Sequence, residues 1–125
     1  MTLPAGVAYG CSPCHNDTTL PVASCTALTP QYVMTRPLRA VNKEQLAASD
    51  NCDSDPKIYI SDSASGFAAG PFHNNDKVVI VRGPSLTPMQ VPASGGYVAE
   101  VLIKGDALVW AVDSAGNASA PVKCY

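Results

Sequence analysis

Apolar residues in this chain come in short bursts with a period of two. In Tyr97-Val98-Ala99-Glu100-Val101-Leu102-Ile103-Lys104 the odd positions are Tyr, Ala, Val and Ile, while the even ones include Glu100 and Lys104. That alternation predicts a strand with one buried and one wet face. Gly105-Asp106 then turns the chain into Ala107-Leu108-Val109-Trp110-Ala111-Val112-Asp113, apolar on both faces as a strand in mid-sheet would be, with Trp110 as a core anchor. Further strand-like runs are Tyr32-Val33-Met34, Leu38 to Val41, Lys57-Ile58-Tyr59-Ile60-Ser61, Lys77 to Val81 and Ala120 to Cys124, rich in Val, Ile and Tyr and separated by turn residues. One brief helical turn is predicted over Asn42 to Ala48, with Asn42 as its cap.

Residues 1–30 show no period and are predicted to form an irregular arm or cap, which leaves 31–125 for the strands. The stretch Gly83 to Gly96 has no obvious pairing partner and is expected to be a long surface loop, the best candidate for a contact surface. Eleven prolines and nine glycines punctuate the chain. Seven short strands without alternating helices predict an all-β protein, an antiparallel sandwich before a small barrel.

Length and charge narrow the function. A chain of 125 residues holds one domain with a hydrophobic core. Eight basic against ten acidic residues, with no basic cluster, argue against a nucleic-acid partner. No apolar run approaches the roughly 20 residues that span a bilayer, so no membrane partner is expected. The start, MTLPAGVAYG, lacks the charged and apolar regions of a secretory signal.

Two segments carry a family resemblance. ALVWAVDSAGNASAPV resembles the last hairpin of bacterial immunoglobulin-like and fibronectin type III-like domains, and ASDNCDSDPKIYISDS is similar to a hyalin-repeat domain. Together they span Ala48 to Ser63 and Ala107 to Val122. The resemblance implies an immunoglobulin-like antiparallel β-sandwich with an irregular N-terminal arm. It also implies adhesive, spacer or display roles rather than catalysis. Asp113 is expected to bond the backbone amides of the turn, with Gly116-Asn117 at its reversal. The second cysteine usual in that hairpin is replaced in Ser114-Ala115-Gly116, so Cys52 pairs elsewhere or stays free.

The cysteines carry the sharpest candidate chemistry. Cys11-Ser-Pro-Cys14-His15 matches the attachment motif of haem c, in which two thiols add to vinyl groups and the histidine binds iron; His73, Met34 or Met89 would supply the sixth ligand. No export signal and no flanking amphipathic helices accompany it. Zinc on Cys11, Cys14, His15 and Cys25 has suitable ligand types but a poor second half, and a redox Cys-x-x-Cys would need a strand before it and a helix after. Disulfides among Cys11, Cys14, Cys25, Cys52 and Cys124 are the favoured reading, with no cofactor and no metal, and an odd cysteine open to bonding another subunit.

Asp50, Asp53 and Asp55, with Asp62 or Asp113, offer calcium-type oxygens, but their spacing favours turn capping. His73 is expected in a solvated loop, and no catalytic triad is proposed. Cytosolic synthesis without a signal, combined with a cysteine density that suits oxidising surroundings, fits a bacteriophage virion component. The expectation is therefore a non-enzymatic, disulfide-stabilised surface decoration or cement protein that contacts other virion proteins or copies of itself. An exported single-haem cytochrome and an extracellular or cell-surface adhesion module are the alternatives.

Overall fold

The structure is a computed structural model that describes residues 18–28, 32–35 and 38–124. Ten strands are present among these residues: β1 (Val22–Ala27), β2 (Tyr32–Thr35), β3 (Leu38–Ser49), β4 (Lys57–Asp62), β5 (Ala68–Phe72), β6 (Lys77–Arg82), β7 (Met89–Pro92), β8 (Ala99–Ile103), β9 (Ala107–Val112) and β10 (Val122–Lys123). No described residue is helical. One sheet runs β1-β3-β6-β8-β7 with β2 also on β3, and the other runs β10-β9-β4-β5.

The long strand β3 replaces the helical turn predicted over 42–48. Asn42, Glu44, Leu46 and Ala48 all turn inward, and Lys43, Gln45 and Ala47 lie between them on the wetter face. The period is two, but two inward positions are polar and the segment is rich in helix formers, so composition hid the alternation. Along one edge β3 pairs with β2 and then β1; along the other it pairs with β6, where Asn42 faces Ile80 and Glu44 faces Val78.

Three further expectations are corrected. Residues 22–27, assigned to the arm, form β1, an edge strand of the first sheet. The stretch from Gly83 to Gly96 is not a bare loop, because β7 forms at its centre and pairs with β8 as an edge strand ending at Pro92, a position that suits a residue with no amide proton. Since β7 takes the far side of β8, β8 enters the sheet parallel to β6, and the sandwich is mixed rather than wholly antiparallel.

Between the sheets lies one apolar core, built from Leu46, Val78, Ile80, Val101 and Ile103 on one side and Ile58, Ile60, Phe72, Val109 and Ala111 on the other. The odd positions of β8 from Ala99 to Ile103 are buried, as their alternation predicts. In β9 the inward residues are Ala107, Val109 and Ala111, which sends Trp110 to the outer face instead of the core. A small second cluster of Val41, Val81 and Leu86 covers the back of the first sheet, with Leu86 folding over from the connection after β6.

The turn at 104–106 does not make a hairpin. It carries the chain from β8 in one sheet to β9 in the other, and the buried Asp62 holds it there. One Asp62 oxygen accepts the Gly105 amide at 2.7 Å and the Ala64 amide at 3.0 Å; the other accepts the Lys104 amide at 3.0 Å and the Ser65 hydroxyl at 2.8 Å.

Candidate functional site

Cys25 and Cys124 are joined by a disulfide, with Cα atoms 5.8 Å apart and 99 positions between them in sequence. Cys25 lies on β1 of the first sheet and Cys124 directly follows β10 of the second, so the bond staples the two sheets along one side of the core. Its backbone seat is fixed by the Cys124 amide, which donates to the Ala107 carbonyl at 2.7 Å. Cys52 is disulfide-bonded as well. Cys11, Cys14 and His15 lie outside the described residues. Cys25, offered above to a zinc set with those three, is committed to Cys124 instead.

The candidates for a sixth haem ligand lie on three separate segments of the fold. His73 sits exposed before β6, with its Nδ1 3.0 Å from Asp55 Oδ2. Met89 is on the edge strand β7 with 40% of its surface exposed, and Met34 belongs to β2, opposite Arg39 of β3.

Directly beneath the disulfide lies a residue that the sequence reading passed over. Glu44 is 2% exposed and Asn42 is 1% exposed, two positions apart on the inner face of β3. The Asn42 side-chain amide donates to a Glu44 carboxylate oxygen. Burial raises the Glu44 pKa above its ordinary value, and the Asn42 hydrogen bond only partly opposes this. The Asn42 Oδ1, also buried, has no hydrogen-bond partner. The two Sγ atoms and a Glu44 oxygen all lie within 4.8 Å of one another, and no other trio of His, Cys, Asp or Glu among the described residues is gathered so closely. Period-two reading of β3 is the signal that would have found it, since it places Glu44 and Asn42 inward beside Leu46.

The aspartates considered for calcium cap turns. Asp50 Oδ2 accepts the amides of Cys52 and Asp53, and Asp53 Oδ1 accepts that of Asp55. Asp113 does the same in the last hairpin, accepting the Ala115 amide, the Asn117 amide and the Asn117 side chain. Gly116, at φ 90°, makes the reversal there, while Asn117 serves as a donor.

On the outer face of the second sheet, Tyr59 and Trp110 are cross-strand neighbours with ring centroids 4.7 Å apart. The Trp110 indole donates to Ser61 Oγ at 2.8 Å. Beside them a groove of about 540 Å³ is lined by Asp53, Asp55, Lys57, Tyr59, Val112 and Ser114. Its volume is that of a small-molecule cleft, and its walls offer carboxylates, one ammonium and an aromatic ring.

Among the described residues, four of the six exposed large apolar side chains stand on edge strands, while Leu20 precedes β1 and Val98 precedes β8. Val22 on β1, Val33 on β2, Met89 on β7 and Val122 on β10 are each 40% or more exposed, and every one of these strands borders its sheet. Compared with protein-family models, curated proteins and solved structures, the chain shows no significant match.

Proposed function

We propose that this chain is a non-enzymatic structural and interaction protein of a bacteriophage virion surface, a decoration or cement module that packs against neighbouring virion proteins or copies of itself. The observation that carries the reading is the placement of exposed apolar residues on edge strands. An edge strand presents unpaired amides and carbonyls, and soluble proteins usually blunt such edges with charge. Here Val22, Val33, Met89 and Val122 stand on them instead, which suits strand-to-strand packing against a neighbour.

The disulfides support the setting. Bridges persist in oxidising surroundings, and Cys25–Cys124 closes a loop of 99 positions. Within the two-sheet sandwich, we assign the finer immunoglobulin-like topology on the strength of the final hairpin, where Asp113 caps the turn; the parallel β6–β8 pair departs from an all-antiparallel arrangement. The module binds no haem and no nucleic acid in this reading.

The test is to band particles from the source culture on a density gradient and quantify peptides of this chain. A copy number in fixed proportion to the major shell protein is the expected result. Recovery of the chain only in cell-envelope or soluble extracellular fractions would overturn the virion assignment in favour of an adhesion module.

A further inference from the structure

We propose that Cys25, Cys124 and Glu44 form a zinc site in the reduced protein, which the disulfide closes on oxidation. The proposal stands on the geometry of the three side chains and is independent of the virion reading.

The three donors converge from separate strands: Cys25 from β1, Glu44 from β3 and Cys124 from the residue after β10. They already lie within 4.8 Å of one another. Opening the disulfide leaves two thiols beside a carboxylate that is 2% exposed. An isolated carboxylate withdrawn from water costs several kcal/mol unless it is compensated. The Asn42 amide is the neutral partner seen here, and a divalent cation would answer that demand directly.

A second, independent observation points the same way. Asn42 is 1% exposed and its amide is turned onto Glu44, yet its Oδ1 has no hydrogen-bond partner. A buried acceptor left unmade costs about 1–3 kcal/mol. A cation held by Glu44 supplies the positive charge that this oxygen lacks, either as a fourth ligand or through a metal-bound water.

The donor set selects the metal. Two thiolates and one carboxylate suit zinc, which takes four ligands from sulfur, nitrogen and oxygen; calcium and magnesium demand all-oxygen shells. Tetrahedral Zn–S bonds of about 2.3 Å place two sulfurs roughly 3.8 Å apart, so the sulfurs must separate once the bond between them is cut. Rotation of the two cysteine side chains supplies that separation while the Cys124 amide stays on the Ala107 carbonyl. Both cysteines are partly exposed, which admits a reductant.

A dithiol reductant delivers two electrons and two protons to the Cys25–Cys124 bond and becomes a cyclic disulfide; the protein gains two thiols. Zinc(II) then displaces both thiol protons, together with any proton on Glu44, which pass to solvent, and the ion with its two thiolates and carboxylate forms a site of net charge −1. Oxidation by any disulfide or peroxide reverses the sequence and expels the metal.

Cobalt(II) serves as the spectroscopic probe. Full-length protein is reduced with a dithiol, freed of reductant without air and titrated with cobalt, then back-titrated with zinc. The expected result is thiolate-to-cobalt charge transfer with tetrahedral visible bands, lost when both Cys25 and Cys124 become Ser. In Glu44→Gln the affinity should fall at least about tenfold. Equal binding by the double serine variant would place the metal on the remaining cysteines and overturn the site, as would no uptake by the reduced wild type. Glu44→Gln binding as tightly as wild type would remove the carboxylate from it. Should the double variant fail to fold, alkylation of the reduced wild type decides: zinc should protect Cys25 and Cys124 specifically, and equal labelling with and without zinc rejects the proposal.

Discussion

Asp62 and Gly105 are 43 positions apart in sequence, yet the Gly105 amide donates to Asp62 Oδ1 at 2.7 Å. This bond sits where the chain crosses between sheets, so it locks the loop after β4 to the turn before β9. Asp62→Ala would strand the amides of Ala64, Lys104 and Gly105 together with the Ser65 hydroxyl. A loss of roughly 2–4 kcal/mol is expected, read from urea unfolding.

The same carboxylate sets an acid limit. Burial alone would raise the Asp62 pKa, but the hydrogen bonds from Lys104, Ser65, Ala64 and Gly105 outweigh it and hold the group below its ordinary value of 3.8. A depressed pKa means that the unfolded chain binds the proton more tightly. The stability from Asp62 is therefore fully present above about pH 4 and is lost as pH falls through the lower folded-state value. Unfolding curves collected from pH 5 downward should show wild type losing more stability than Asp62→Asn; parallel curves would contradict this.

Gly105 is required by space rather than by backbone angle. A Cβ there would come within 2.5 Å of Ser63 Oγ and 2.8 Å of the Ala64 amide nitrogen. Gly105→Ala should push the crossing turn off Asp62 and cost about 1–3 kcal/mol. At Gly116 a Cβ meets nothing within 4 Å, but φ of 90° strains any side chain, so Gly116→Ala should cost less, about 1 kcal/mol. Melting temperatures of the two variants give the ranking.

Closing a loop of 99 positions constrains the unfolded chain strongly; chain entropy gives about 4.7 kcal/mol for a loop near 100 residues, and measured bridges commonly give 2–4. Replacing Cys25 and Cys124 with Ala should lower the melting temperature by several degrees or more under oxidising conditions. In reductant with a chelator present, wild type and variant should converge. A gap that persists there would mean that side-chain packing, not the bond, is responsible.

Glu44→Gln should stabilise the oxidised protein at neutral pH. The substitution keeps the shape and the Asn42 contact while removing a charge that burial disfavours. A destabilised Glu44→Gln, measured by thermal unfolding with the disulfide intact, would show that the carboxylate has a stronger partner than Asn42.

Much of the sandwich was readable because its core strands alternate. β4, β8 and β9 each bury every second residue, β6 departs from this only at Val81, and their Val and Ile content agreed with the pattern. β5 and β7 were missed because Ala-Ala-Gly-Pro-Phe and Met-Gln-Val-Pro carry breakers that edge strands tolerate. Register also eluded the reading of Trp110: both faces of β9 are apolar, so composition could not tell which side of the sheet the indole takes. At the candidate site the cysteines were visible as residue types, but the match of Cys25 to Cys124 depends on a long-range approach of β1 to the chain's last strand. Glu44 and Asn42 read as part of a brief helical turn, with Asn42 as its cap, until β3 fixed which way they point.

The staple between Cys25 and Cys124 also determines how the domain carries a mechanical load. Tension that enters at β1 and leaves just after β10 passes through one covalent bond, bypassing every hydrogen-bonded ladder between them. In the oxidised state the sandwich is thus a nearly inextensible link whose core is spared the pull. Reduction converts the same domain into one that lengthens under force by unzipping its strands.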